Sequence, residues 1–331
     1  MHAYHYPGSD VATQIAASTH WQETVAPDEG ERHKRQAEQF SALQRQKSQE
    51  FGNGRALHRK QLLALRASFE VLDELPEPAR QGLFAQPRTY EALVRLSNGG
   101  FNRDPDKVPD VRGFSIKVRG VHGTAALGGD AVSQDFALIN HEHFSSPTSE
   151  TFTHIVTAAG SGPVGLLGRV LRNPGMLPQL LKVGGALRTP FTGFATQNFY
   201  SAAPLSCGPY AVRVRLRAAS DRPTPDASAD WATDIYARLA AGPLVHDFQV
   251  QFFTDESTTP IEDAAAVWSS PFHTVARLTI PAQERDAALD DEVEAGRFDP
   301  WNALVEHRPL GEVMRARKVA YYASQQNRGA S

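Results

Sequence analysis

The chain has 331 residues, 41% of them apolar and 21% charged, with a formal net charge of −3. That length buries a large core, in one big domain or two ordinary ones, and a near balance of charge argues against a protein that grips nucleic acid through a basic face. The single cysteine, Cys207, excludes an internal disulfide framework and any multi-cysteine zinc or iron–sulfur site. The opening residues Met1-His2-Ala3-Tyr4 carry no basic stretch leading into an apolar one, so no secretory signal is expected. No run of about 18 apolar residues implies a membrane span. A cytoplasmic protein is the resulting expectation.

Residues 1–28 are punctuated by Gly and Pro and predict an N-terminal arm, with 29–331 as one domain. Residues 29–51 predict a polar helix with Phe40, Leu43 and Phe51 at roughly helical spacing. The loop Gly52-Asn53-Gly54 follows. Strand-like runs come next at 90–97, 113–119 and 134–140. Residues 149–190 predict helix interrupted by Gly and by Pro163, Pro174 and Pro178. The period then changes to two. Val212, Val214 and Leu216 alternate with arginines, Phe248, Val250 and Phe252 with Asp247, Gln249 and Gln251, and Ala276, Leu278 and Ile280 with Arg277 and Thr279. These predict half-buried antiparallel strands. Helices are expected at 230–239 and, after Pro309, at 310–325. Grouped strands with helices between and after them predict an α+β barrel rather than a doubly wound sheet.

Three motifs carry little. Gly160-Ser161-Gly162-Pro163-Val164-Gly165 fits the G-x-G-x-x-G string, but Pro163 is awkward in that turn. No Asp or Glu occurs from 151 to 220 to hold a ribose. His141 and His143, with His154 beyond, lack a third ligand at metal-site spacing. Cys207 has no motif around it and is expected to be an inert buried thiol.

The stronger pattern is at the C-terminus, in Arg317-Lys318-Val319-Ala320-Tyr321-Tyr322-Ala323-Ser324-Gln325. On a helix Arg317 and Tyr321 are i and i+4 and can touch. A tyrosine ligates iron as a phenolate, and a guanidinium one turn away stabilises that anion while staying charged itself. This segment resembles the proximal heme-ligand signature of catalases. Arg328, seven residues after Tyr321, matches a further arginine of that motif. Val319 and Ala323 stand where Phe and Asp are usual.

Upstream segments resemble the same family. Arg55-Ala56-Leu57-His58 is similar to its Arg-x-x-His, and the resemblance makes His58 the distal base, with Arg55 on a heme propionate. Arg59-Lys60-Gln61 replaces the small residues usual there. Arg95-Leu96-Ser97 resembles Arg-Phe-Ser, in which the Ser bonds the distal His and the Arg pairs with a propionate. Arg112-Gly113-Phe114 resembles Arg-Gly-Phe, in which the Gly lets the chain approach the porphyrin. Gln134–Asn140 resembles the segment ending in the distal Asn, so Asn140 is expected to donate to peroxide, and Phe152 loosely fits the aromatic over the heme. These motifs run in family order over residues 55–328. The whole resembles a compact catalase-related core without the C-terminal helical segment and flavodoxin-like domain of the long enzymes.

The resemblance implies a catalase-like antiparallel β-barrel with surrounding and inserted helices. It also implies heme b with Tyr321 as axial ligand, a hydrogen peroxide or organic hydroperoxide substrate, and a homo-oligomer. The leading expectation is a heme hydroperoxidase with catalase or peroxidase activity. Two alternatives stand beside it. A fatty-acid hydroperoxide lyase or isomerase suits the acid-free stretch 151–220, although Leu57 replaces the Thr that precedes the distal His of allene oxide synthases. A non-catalytic heme-binding protein would need neither His58 nor Asn140.

Overall fold

A computed structural model describes residues 16–160, 162–172 and 190–330, with 174, 177, 180, 181, 184 and 185 between. The sequence expectation for residues 1–15, and part of that for 149–190, lies outside the described residues. Helix α1 (Glu29–Phe51) follows Asp28, has Glu29 and Glu31 in its first turn, and stops at Gly52. Acidic side chains there complement the positive end of the helix dipole. Five longer strands come next or later in the chain: β1 (Gln61–Val71), β2 (Arg88–Asn98), β3 (Arg112–Thr124), β4 (Asp130–Ile139) and β7 (Tyr210–Arg217). Two short ones, β5 (Phe199–Tyr200) and β6 (Leu205–Cys207), precede β7. Strands β8 (Leu244–Phe252) and β9 (Phe272–Ile280) complete the sheet.

The strand order is β5-β4-β3-β2-β1-β9-β8-β7-β6, and an added β5–β7 pairing closes it. Eight antiparallel strands therefore form a barrel, with β6 lying outside β7. The seam is narrow: Tyr200 pairs with Ile139 on one side and Arg215 on the other. Full closure leaves no long exposed strand edge. The interior is solid. Phe69, Phe136 and Phe248 meet with ring centroids 5.1 Å (Phe69–Phe248) and 4.7 Å (Phe136–Phe248) apart. A barrel of this size has no room for a cavity once such side chains fill it, so any site must lie on its outer wall.

Six helices flank the barrel among the described residues. After α1 come α2 (Ser149–Gly160), α3 (Gly162–Arg172), α4 (Trp231–Ala241), α5 (Ala287–Ala295) and α6 (Glu312–Arg328). The G-x-G string thus falls at the junction of two helices, not between strand and helix. Helix α6 ends at Gly329 in the left-handed region, with Gly329 N donating to Gln326 O and Ala330 N to Gln325 O. Glycine adopts that closing geometry without a Cβ penalty. α1 packs along α6, tied by His33 Nε2 to Glu312 (2.9 Å) and by Gln44 Nε2 donating to Ser324 O (3.1 Å). From residues 16–28, Ser18 N donates to Phe253 O, and Trp21 Nε1 donates to Pro209 O at 2.8 Å.

Two features depart from the sequence expectation. Strands β7 and β8 are covered on both faces over residues 211–214 and 248–252. Arg213 stacks on Trp268 at 4.7 Å, and Gln251 Nε2 donates to Trp268 O at 3.0 Å. The chain between β8 and β9 folds back over that wall, so the polar alternation marks hydrogen-bonded burial, not solvent. Strand β1 was not expected at all. Its inner side chains Leu63, Leu65, Phe69 and Val71 enter the main core, while Ala64 packs outward with Leu93, Leu289, Val293 and Phe298. Burial on both faces erases the alternation that marks a strand.

Candidate active site

The site follows from strand parity. Leu96, Phe114, Phe136 and Leu138 point into the barrel core. Their neighbours must point outward, because successive side chains alternate faces. Two cross-strand rows result on the outer wall: Arg95–Ser115–Ala137 and Ser97–Gly113–Ile139. A cavity of about 1320 Å³, its mouth included, lies between this wall and helices α1, α2 and α6. Arg95, Ser115, Ala137 and Ile139 line it from the sheet, Phe40 and Phe152 from α1 and α2, and Arg317, Tyr321 and Arg328 from α6.

His58 sits on the loop before β1 and lies over Gly113. Its Nδ1 is 3.0 Å from Ser97 Oγ, its N–H donates to Gly99 O (2.9 Å), and its carbonyl accepts from Arg95 (2.9 Å). Its backbone is left-handed, with φ 51°, a strained state for a residue with a side chain that persists only where surroundings enforce it. Ala202, also on the cavity, shares this feature with φ 56°. A Cβ on Gly113 would come 2.5 Å from His58 Nδ1. The glycine therefore makes room for the imidazole itself.

Burial, and then the positive charges of Arg95, Arg317 and Arg55, push the His58 imidazole down to about 3. It is neutral throughout the physiological range and available as a base.

On the helical wall Arg317 donates to Tyr321 Oη at 2.9 Å and stacks 5.2 Å from its ring. The i, i+4 contact expected from sequence is present. At the other end of α6, Arg328 donates to the carbonyls of Glu294 (3.1 Å) and Gly296 (2.7 Å). Arg55 reaches Glu294 and Gly296 as well, at 2.8 and 2.9 Å. Arg95 shares the same carboxylate oxygen of Glu294 at 2.9 Å. Two guanidiniums thus meet one carboxylate, and a third, Arg328, is held beside them by backbone carbonyls. Burial lowers Arg55 well below its usual range, with Arg95 adding repulsion, and lowers Arg95 and Arg328 too, in each case partly offset by Glu294. Arginine stays charged, so this end of the cavity attracts anions.

Not every sequence candidate lines the cavity. Asn140 lies just beyond β4, where its Oδ1 accepts from Arg112 N at 2.7 Å and its N–H donates to Arg112 O. Phe152 does line it, its ring 4.6 Å from Phe144 and 6.2 Å from Phe40. The bulky residues after His58 turn away. Arg59 caps the end of α1 through Gly52 O (2.8 Å) and Gln44 O (3.1 Å), and Lys60 pairs with Asp106 at 2.6 Å. Cys207 is buried, its thiol pushed up to about 12. No group of three or more His, Cys, Asp or Glu among the described residues is placed to hold a metal ion.

Glu294 escaped sequence reading. The signal was present: Asp286 caps a helix by accepting from Ala288 N and Leu289 N, and Leu289 and Val293 are an apolar i, i+4 pair. Strand β1 pairs with β9 only from Ser68 to Val71. Beyond that, side chains take over the ladder. Ala64 N donates to Asp290 (2.7 Å) and Arg66 N to Gln283 (3.0 Å). These bonds seat α5, and with it Glu294, beside Arg55 and Arg95.

No protein-family model and no curated protein matches this sequence. Many solved structures match the fold, two catalases among them. One is a fungal catalase, at 17% identity and TM-score 0.66, covering 84% of this chain and 59% of its own. The other is catalase A from Saccharomyces cerevisiae, again at 17% identity and TM-score 0.66, covering 83% of this chain and 61% of its own. The chain spans about three-fifths of each. It has a catalase-like α+β barrel fold.

Proposed function

We propose that the cavity binds heme b and that the chain consumes hydroperoxides, hydrogen peroxide foremost. The observation that carries this reading is one cavity with an arginine-backed phenol on its helical wall and a neutral imidazole on its sheet wall. The residues fit the group. Phe40, Leu57, Phe144, Phe152 and Val313 give an apolar slot for a macrocycle. Arg55 and Arg95, held by the Glu294 carboxylate, and Arg328, held by backbone carbonyls, would offer charge-assisted bonds to the propionates. Tyr321 would hold the iron, its phenolate stabilised by Arg317.

Bound heme supplies the reversible two-electron oxidation that peroxide cleavage needs. The chain's own groups handle the proton. With Nδ1–H donating to Ser97 Oγ, His58 Nε2 carries the lone pair. It takes the proton from the attacking hydroperoxide oxygen and returns it to the leaving oxygen, giving water or an alcohol. The strained His58 backbone, pinned by Gly99 and Arg95, holds that nitrogen in place. The aromatic lining also favours a second reading, in which the substrate is an organic hydroperoxide of the fatty-acid type.

Purified protein titrated with hemin should take up one equivalent with a Soret band of a high-spin ferric center. Oxygen evolution from hydrogen peroxide, measured beside turnover of a fatty-acid hydroperoxide, separates the two substrates. His58→Ala should retain heme and lose peroxide cleavage. Failure to take up hemin overturns the proposal.

A further inference from the structure

We propose that α3, with Leu177 and Leu181 beyond it, docks the protein on an anionic lipid surface. The inference does not rest on the heme reading. Five leucines are exposed among the described residues, and four fall here: Leu167 (61%), Leu171 (74%), Leu177 (47%) and Leu181 (67%). Leu167 and Leu171 are i and i+4 on α3 and share a face. Leu177 and Leu181 repeat the interval. A soluble protein scatters exposed apolar side chains singly, and clustering them marks an interaction surface.

The charge pattern selects the partner. Between 151 and 190 the sequence has Arg169, Arg172, Lys182 and Arg188 and no Asp or Glu. A second copy meeting this segment through itself would set cation against cation. Protein hot spots are built from Trp, Tyr and Arg, with Leu under-represented; among the described residues of this segment, every exposed large apolar side chain is Leu. Leucines beside cations in a short amphipathic helix are the pattern of a segment that lies in the membrane interface. Each cation near such a surface strengthens binding about fivefold. The helix docks and does not span: among the described residues no helix is long and apolar enough to cross a membrane. Helix α2, which walls the cavity through Phe152 and Thr153, ends one residue before α3 begins. Docking sets that wall beside the lipid.

The test is flotation of the purified full chain with vesicles of phosphatidylcholine alone or with about one-third phosphatidylglycerol. Anionic vesicles should bind at least about tenfold more protein than neutral ones, and high salt should release it. The double variant L167E/L171E should lose more than about tenfold of that binding. Leu127→Glu, at an exposed leucine elsewhere, should not. Circular dichroism and melting temperature show that both variants fold. Equal recovery on neutral vesicles, no binding to anionic ones, or full binding by L167E/L171E overturns the proposal. So does a dimer in sedimentation equilibrium that L167E/L171E splits without any vesicle binding, which would assign the leucines to a second copy.

Discussion

Gly113→Ala tests how the imidazole is held. A Cβ there would lie 2.5 Å from His58 Nδ1, 2.6 Å from Ser97 Oγ and 2.7 Å from His58 Cε1, roughly an ångström short of ordinary contact. The strand cannot yield, because Gly113 is paired with Ser97 and Ile139 on both sides. The His58 backbone cannot yield either, being bonded to Gly99 O and Arg95. Only the side chains can move. The ring must retreat into the cavity by about 1 Å, and the Nδ1–Oγ contact of 3.0 Å opens beyond hydrogen-bond range. Overpacking of this kind costs about 1–3 kcal/mol of stability. A misplacement of about 1 Å in a proton-transfer group costs on the order of 10²-fold in rate. Hemin titration should give near wild-type uptake, while the initial rate of hydrogen peroxide decomposition drops by that factor. A variant that binds hemin and turns over peroxide at the wild-type rate would refute the assignment of His58 and of Gly113 as its seat.

Tyr321→Phe removes the phenol that accepts from Arg317. It should weaken hemin binding and shift the ferric spectrum, read by absorbance; an unchanged spectrum would remove Tyr321 as the ligand. Glu294→Gln leaves Arg55 and Arg95 without their carboxylate. The protein without heme should lose about 1–3 kcal/mol, as for lost hydrogen bonds to a partly exposed charged group, and hemin should recover more stability in the variant than in the wild type; denaturant melts with and without hemin decide this. Burial pushes His246 and His307 down to about 4 and His58 to about 3. The unfolded chain takes up these protons near 6.5 and the folded chain does so only below 4. Their contribution is intact above pH 6.5 and declines as pH falls, by up to about 1.4 kcal/mol per histidine per pH unit. Melting temperatures that do not fall between pH 7 and pH 5 would contradict it.

Legibility in the sequence tracked locality. The Arg317–Tyr321 contact needs only a helix, and four-residue spacing predicts it. Arg95, Ser97 and Gly113 came with motifs, and strand parity then explains their shared face. The helix that carries Glu294 was legible, but its contacts with Arg55 and Arg95 across 239 and 199 residues were not. Such contacts depend on how α5 seats on β1, which no local pattern records. Strand β1 itself was hidden by apolar neighbours on both faces. The covered outer wall of β7 and β8 was missed for the converse reason: Arg213 and Gln251 look solvent-facing until a later loop lies over them.

The narrow seam has a dynamic consequence. A single Cα pair, Ile139 with Tyr200, joins β4 to β5, whereas β3 and β4 share a long ladder. Local opening starts where the fewest bonds must break. Ile139, Ser201 and Ala202 all line the cavity. The cheapest fluctuation of the barrel therefore unlatches the side of the cavity at the β4–β5 pair. Amide exchange should be faster at this hinge than in β2 or β3, and cofactor occupancy should slow it, so that the stave which completes the barrel also acts as its door.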